Sequence, residues 1–228
     1  MTAKSRSKKI IFACLACILA TVFLAMAGCS APQEAAQLPD PEPQTWEQTM
    51  EEAGQAADYG WKLNPTVDID YFVEDAVIDA EAIVYGKLIG EPTAWEQQED
   101  GNYVSCKLTS ARAALFQYPV EVMVDGLGHF SPGEKITIVA RDSSFLEVTH
   151  PEPGIEIIVP LISWEDDAEM GLMIGELPIC FMVTDSGHIR SMGVQNTSLT
   201  GLGANTLWEE MLRYHDDPSQ EIAPNPLS

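Results

Sequence analysis

The spacing of apolar residues first has a helical period. Thr45 and Gln48 have the spacing of a capping box, which marks the start of a helix. One face of this helix collects the apolar residues that follow: Trp46, Met50, Ala53 and Ala57. Asp68 can cap a second helix, whose apolar face is Ile69, Phe72, Val73, Ala76, Val77 and Ala80.

After residue 81 the period becomes two, which predicts strands. Seven segments follow this pattern: Ala82–Gly90, Tyr103–Leu108, Val120–Asp125, Lys135–Arg141, Ile155–Leu161, Leu177–Thr184 and His188–Gly193. Two Gly-containing triplets, Asp100-Gly101-Asn102 and Asp185-Ser186-Gly187, predict hairpin turns, because Gly adopts positive φ at little cost. Asn205 can cap a last helix, with Leu207, Met211 and Tyr214 on one face and Trp208 and Leu212 beside it.

These elements predict a mainly β (α+β) fold. Parallel strands need long crossovers, and seven strands without interleaved helices have none, so the sheet should be antiparallel. Two helices before the strands and one after them could close the ends of a barrel. We therefore predict a small antiparallel Greek-key, OB-like barrel with two N-terminal helices and a short C-terminal helix, at residues 45–215.

The first 28 residues predict an export signal. A basic start is followed by an apolar run from Ile10 to Ala27, and the run ends in Met26-Ala27-Gly28-Cys29. This ending looks like a bacterial lipobox, in which Cys29 is lipidated and becomes the N-terminus. Met26 stands where a lipobox usually has Leu.

Two alternatives remain for this leader. Ala25-Met26-Ala27 also fits an ordinary signal-peptidase site, and the apolar run could span a bilayer uncut. All three interpretations place the folded part outside the cytoplasm. The localisation expected is the extracytoplasmic face of the cell membrane, with residues 29–44 as a disordered tether and residues 216–228 as a flexible tail.

Four strand segments carry a resemblance to a known group of proteins. Their sequences are AIVYGKL from Ala82, VEVMVDG from Val120, PGEKITI from Pro132 and GIEIIVPL from Gly154. Their order resembles a broad set of bacterial surface lipoproteins, mostly Gram-positive, whose barrel is OB-fold-like. The resemblance covers about residues 69–194 and implies fold and location, with no shared activity. Asp125 replaces the usual Lys, and Ile157 stands where an aromatic is common.

Charge narrows the classes of partner. The chain has 12 basic and 35 acidic residues, a net charge of −23, and four of the bases lie in the leader. Such a field repels phosphate, so we expect no nucleic-acid binding. The expected partners are the membrane, through the N-terminal lipid, and a basic or cationic protein.

Residues with catalytic or metal-binding chemistry lack the spacing that such sites need. The four histidines, His129, His150, His188 and His215, form no zinc motif. Ser186 and His188 are read as turn residues, because neighbours in a tight turn rarely orient a hydroxyl at an imidazole. The acidic clusters at residues 165–169 and around Asp68 lack calcium-loop spacing and are read as solvated turns. We predict no catalytic residues, no metal and no cofactor.

Cysteine and tryptophan residues supply the remaining candidates. Cys106 and Cys180 would form a disulfide if the strand register brought them together, and two buried free thiols are the alternative. Trp95 and Trp164 are expected in long connections between strands. They are candidate binding-loop aromatics or aromatic covers over the barrel mouth.

The resulting function is a non-catalytic, membrane-tethered binding or envelope-associated module. A carboxylate-dependent envelope hydrolase is the first alternative, because 35 acids make a close carboxyl pair easy to form. A protease-inhibitor-like module is the second, because similar barrels occur in inhibitors.

Overall fold

The secondary structure follows from a computed structural model that describes residues 37–55, 60–63, 73–110, 112–141, 145–150, 152–163, 172–173, 179–192 and 198–226. Its helices are α1 (Trp46–Gln55), α2 (Val73–Ile78) and α3 (Ala204–Asp216). Its strands are β1 (Gly60–Leu63), β2 (Ala82–Leu88), β3 (Thr93–Gln97), β4 (Tyr103–Cys106), β5 (Leu115–Asp125), β6 (Lys135–Arg141), β7 (Phe145–Thr149), β8 (Glu156–Ser163), β9 (Leu172–Met173), β10 (Phe181–Val183) and β11 (Ile189–Ser191).

The main sheet is antiparallel except at one short strand. Its order is β11-β10-β8-β9-β6-β5-β3-β4, and β2 pairs with both β5 and β8. β9 has two residues and pairs antiparallel with β8 and parallel with β6. β1 and β7 form a separate two-stranded sheet. The predicted mainly β architecture with a few helices is confirmed at this level.

Strands β2 and β8 are buried on both faces. Ala82 and Val84 point into one apolar cluster within the sheet, whereas Ile83 and Tyr85 point into a second cluster. The second cluster lies under the helices and includes Val73, Val77, Leu207 and Met211. Burial on both sides explains why these segments read as nearly continuous apolar runs rather than strict alternations.

Several strand boundaries differ from the predicted ones. β6 has the bounds predicted for it, but β5 begins at Leu115 and contains Pro119. β3 was expected to be a connection, because its sequence TAWEQ has no apolar alternation; it forms because its backbone pairs with β4 and β5. The strands β1, β7 and β9 also lack a prediction, and the start of the second predicted helix at Asp68 lies outside the described residues.

The described part of the predicted tether is packed on the domain. We call residues 37–55, which include α1, the N-terminal strap. Leu38 packs against the second apolar cluster, and Glu42 donates its backbone N–H to the Ser186 carbonyl at 2.8 Å. The described residues from 37 onward belong to one compact unit. The predicted boundary at residue 44 is therefore too late, because one partly buried leucine and a few hydrogen bonds hold a segment that is polar overall.

The described part of the predicted flexible tail is also held in place. Ile222 and Asn225 are buried. Asn225 donates its backbone N–H to Ser198 and its side-chain amide to Thr200, and Arg213 donates to the carbonyls of residues 220 and 221. Composition alone did not reveal these contacts, since few residues of the tail are apolar.

Local signals near the helix ends and turns have mixed outcomes. Thr45 and Gln48 form the predicted capping box, with reciprocal bonds of 2.9 and 3.3 Å. The predicted cap at Asn205 is wrong: α3 starts after Gly203, and the Asn205 amide donates to Asp40 at 3.0 Å. In α1, Met50 of the predicted apolar face is 39% exposed, because Thr49 is the buried position.

Candidate functional site

A pocket of about 490 Å³ lies between the N-terminal strap and the ends of three strands. Its volume falls in the range of roughly 300–1,000 Å³ that is usual for small-molecule sites. β2, β8 and β10 supply one side, and the strap supplies the other. The lining residues are Pro39, Glu52, Lys87, Gly154, Ile155, Glu156, Met182, Val183, Thr184 and Asp185.

Glu156 is held at the base of this pocket by two neighbours on β2. It pairs across the sheet with Lys87, and the Lys87 Nζ lies 3.9 Å from Glu156 Oε1. The Tyr85 hydroxyl donates to the other carboxylate oxygen, Oε2. Burial of Tyr85, together with the Glu156 carboxylate, holds the pKa of the phenol well above its usual range. Tyr85 therefore remains a hydrogen-bond donor at neutral pH.

Glu52 lies on α1 and accepts two hydrogen bonds from the turn between β10 and β11. Its Oε1 accepts the Ser186 backbone N–H at 3.2 Å, and its Oε2 accepts the Ser186 hydroxyl. The turn itself is closed by the Thr184 N–H bond to the His188 carbonyl at 2.8 Å, with Gly187 at φ +78°. The hairpin turn predicted at residues 185–187 is confirmed. The one predicted at residues 100–102 is also confirmed, with Gly101 at φ +87°.

Ser186 and His188 do make the contact that the sequence argued against. The Ser186 Oγ lies 2.9 Å from His188 Nδ1. The Ser186 hydroxyl donates to Glu52, and its role towards His188 Nδ1 depends on the tautomer of the imidazole. Ser186 is also only 5% exposed. The cluster therefore fixes Glu52 in position against the β10–β11 turn.

The pocket is acidic on balance. Of its described lining side chains, three are carboxylates, Glu52, Glu156 and Asp185, and one is a cation, Lys87. Lys87 already lies next to Glu156. Glu52 is bound by neutral donors, and Asp185 is exposed. The charge and shape of the pocket therefore favour a positively charged ligand.

Of the two predicted binding aromatics, Trp95 does not line this pocket. Trp95 lies in β3, not in a connection, so that prediction is wrong; its backbone pairs with Leu115 and Ser105. The indole packs against Leu115 and Val139 and donates to Thr93 Oγ1 at 3.2 Å. Trp164 lies outside the described residues.

Two of the three cysteine candidates lie within the described residues. Cys29 lies outside the described residues. Cys106 and Cys180 are both free, so the disulfide is not formed; of the alternative of two buried free thiols, the burial holds for Cys180, whereas Cys106 is only half-buried. Cys180 is fully buried, and burial raises the pKa of its thiol to about 12. Such a thiol is inert at neutral pH.

Within the described ranges, no group of three or more His, Cys, Asp or Glu side chains could hold a metal ion. Glu74 and Asp75 lie in the first turn of α2. The remaining residues of the acidic clusters, Asp68, Asp70 and residues 165–169, lie outside the described ranges.

The described helices are all too short or too polar to cross a bilayer. Comparisons with protein-family models, with curated proteins and with solved structures gave no match.

None of the charged residues of the pocket, Glu52, Lys87, Glu156 and Asp185, is identifiable as a site residue from local sequence pattern. Lys87 and Glu156 lie on strands that were predicted, but their meeting depends on strand register, which local pattern does not determine. Glu52 lies on a predicted helix and meets a turn 134 residues away in sequence. The one available signal was Ser186 with His188, which was read as a turn alone.

Proposed function

We propose that the protein is a lipid-anchored lipoprotein of the extracytoplasmic face whose folded domain is a non-catalytic binding module. The lipobox-like ending at Cys29 supports the anchor, and the acidic pocket supports binding. The observation that carries the binding function is the Glu52 carboxylate, which lines the pocket and is held in place by Ser186. The expected partner is basic, in keeping with the net charge of −23.

We also propose that the sheet is a partly open Greek-key, OB-like barrel, as in the surface lipoproteins that the strand sequences resemble. The double pairing of β2 with β5 and β8 supports this assignment. The link between β6 and β8 passes only through the two residues of β9. These strand pairings therefore support a curved sheet more strongly than a closed barrel.

Fractionation of cells tests the anchor. The wild-type chain should sediment with membranes and be released by detergent, with lipid on Cys29. The variant Cys29→Ser should be released into the soluble fraction or remain an unprocessed precursor. A mature wild-type chain that starts at Gly28 without lipid would overturn the anchor.

A turnover assay separates the binding module from the hydrolase alternative, which Glu52 and Glu156 support by lining one pocket. The purified protein is incubated with envelope polymers, peptides and chromogenic esters. We expect no turnover from the wild type. Reproducible turnover that Glu156→Gln abolishes and Glu99→Gln preserves would establish the hydrolase instead, because Glu99 is an exposed turn residue outside the pocket.

A further inference from the structure

We propose that the pocket binds a protonated alkyl amine, with its ammonium group between Glu52 and Asp185 and its alkyl chain along Ile155 and Pro39. This inference rests on the proposed binding function and names the chemistry of the ligand. The ammonium group could belong to a free amine or to a lysine side chain of a basic partner. The two sources share the same contacts and differ in the experiment below.

The charge distribution inside the pocket supports a cation rather than an anion or a neutral ligand. Lys87 and the Tyr85 hydroxyl both engage Glu156, so the charge of that carboxylate is already partly balanced. Glu52 is held by a backbone N–H and a hydroxyl, which orient the carboxylate without neutralising it. No Lys or Arg of the described chain forms an ion pair with Glu52 or Asp185.

The shape of the pocket supports an alkyl chain behind the charge. Ile155, just before β8, is half-buried and lines the pocket, whereas the Met182 and Val183 side chains are buried in the two apolar clusters on opposite faces of β10. Pro39 of the strap also lines the pocket. A ligand with a charged end and an apolar stem can contact both kinds of surface at once, whereas a bare metal ion would leave the apolar wall unused.

The rigidity of Glu52 adds a further argument. Fixing a carboxylate in advance lowers the entropy that a ligand must overcome on binding. Ser186 provides this fixation through its N–H and hydroxyl, and His188 Nδ1 contacts the same hydroxyl at 2.9 Å. By holding Glu52 in place before a ligand binds, this chain of hydrogen bonds contributes to ligand recognition.

Calorimetric titration of the full chain with 1,5-diaminopentane tests the proposal. We expect saturable binding that weakens with added salt, and similar binding of Nα-acetyl-lysine amide if the pocket accepts lysine side chains. The neutral analogue 1-pentanol should not bind. If the diamine binds and the lysine derivative does not, the free amine is the source of the ligand.

Three variants test the proposal, because they are expected to change the affinity for the diamine in different directions. Asp185→Asn should weaken diamine binding by about tenfold, since a charge-assisted contact is lost. Lys87→Gln should strengthen binding severalfold, because it removes a cation from the pocket. Glu99→Gln changes the net charge of the protein by the same amount as Asp185→Asn but lies outside the pocket, so it should leave the affinity unchanged.

Two results would overturn the proposal: no saturable binding of either amine to the wild type, or equal losses in Asp185→Asn and Glu99→Gln. The second result would assign any binding to the overall field alone. Failure here is distinct from failure of the proposed function. A chain that captures a membrane partner but binds no amine contradicts only this inference, whereas turnover abolished by Glu156→Gln contradicts the binding module itself.

Discussion

His150 is the histidine whose environment changes its protonation most clearly. Its Nδ1 lies 2.8 Å from the Tyr118 hydroxyl, and its ring lies 4.6 Å from that of Phe116, centroid to centroid. Burial lowers the pKa of His150, because the charged imidazolium loses hydration. The unfolded chain therefore binds the proton more readily than the folded one.

We predict that His150 makes the protein less stable in mild acid. The pKa of His150 is lower in the folded protein than its unfolded value of about 6.5. Stability is therefore lost as the pH falls below about 6.5 towards the folded pKa. His150→Gln should have a lower urea midpoint than the wild type at pH 7.5. Its midpoint should then fall less than that of the wild type when the pH is lowered from 7.5 to 5.5. His129→Gln is the control, since His129 is exposed. Equal decreases in both variants between the two pH values would contradict this.

At this scale, the sequence predicted contacts that are close along the chain. The capping box of Thr45 and Gln48 spans three residues, and the two glycine turns depend on residues next to each other. It could not predict Glu52 with Ser186, or Asp40 with Asn205, because these pairs are 134 and 165 residues apart. Only the fold brings such residues together, so the candidate site was not predictable from local pattern.

The element that most affects the pocket is the N-terminal strap, since it supplies Pro39 and Glu52. The strap contacts the β10–β11 turn at Gly187, where a Cβ atom would lie 3.0 Å from the Asp40 carbonyl oxygen. Gly187 therefore serves two purposes: its positive φ closes the turn, and its lack of a side chain admits the strap.

We predict that Gly187→Ala destabilises the protein and loosens the strap. A residue with a side chain at positive φ costs about 1–2 kcal/mol, and the contact with Asp40 adds to that cost. Gly133→Ala is the matched control, since Gly133 has φ +82° and open space around it. Urea unfolding should show a larger loss for Gly187→Ala, and proteolysis within residues 37–45 should accelerate in that variant alone. Equal losses and equal cleavage would refute the strap contact.

Elements were predictable where apolar alternation was strong. β6 lies where its pattern indicated, whereas β3, with the sequence TAWEQ, has a single buried residue, Ala94, and a weak pattern. Backbone pairing with β4 and β5 forms this strand despite its polar composition. Strands of this kind are determined by their neighbours rather than by their own residues.

For the molecule as a whole, the antiparallel β architecture with flanking helices was predictable, and the limits of the domain were not. The segments at both ends are rich in Pro and acidic residues, a composition typical of disordered chain. Leu38 and Ile222 nevertheless pack against the same apolar cluster. The partly buried Leu38 in one segment, and the buried Ile222 and Asn225 in the other, are contacts that composition does not reveal.

We predict that a fragment of residues 37–226 is more stable than one of residues 45–226. The longer fragment retains the packing of Leu38 and the hydrogen bonds of Asp40 and Glu42. Their loss should lower the free energy of unfolding by about 2 kcal/mol, because the packing of Leu38 and the exposed hydrogen bonds taken together each contribute on the order of 1 kcal/mol. Urea unfolding of both fragments measures the difference. Coincident midpoints would show that the contacts of residues 37–44 contribute nothing.

The strap and the C-terminal segment meet at Gly201, where an added Cβ atom would lie 2.9 Å from Asn225 Nδ2 and 3.1 Å from Trp46 Cζ3. This meeting has a consequence for the order of events during synthesis. The strap leaves the ribosome before the sheet, but Ser186, Gly201 and Asn205 are made near the end. Closing loops of 134 and 165 residues is slow compared with forming hairpins. The segment of the domain that is made first is therefore among the last to reach its native position.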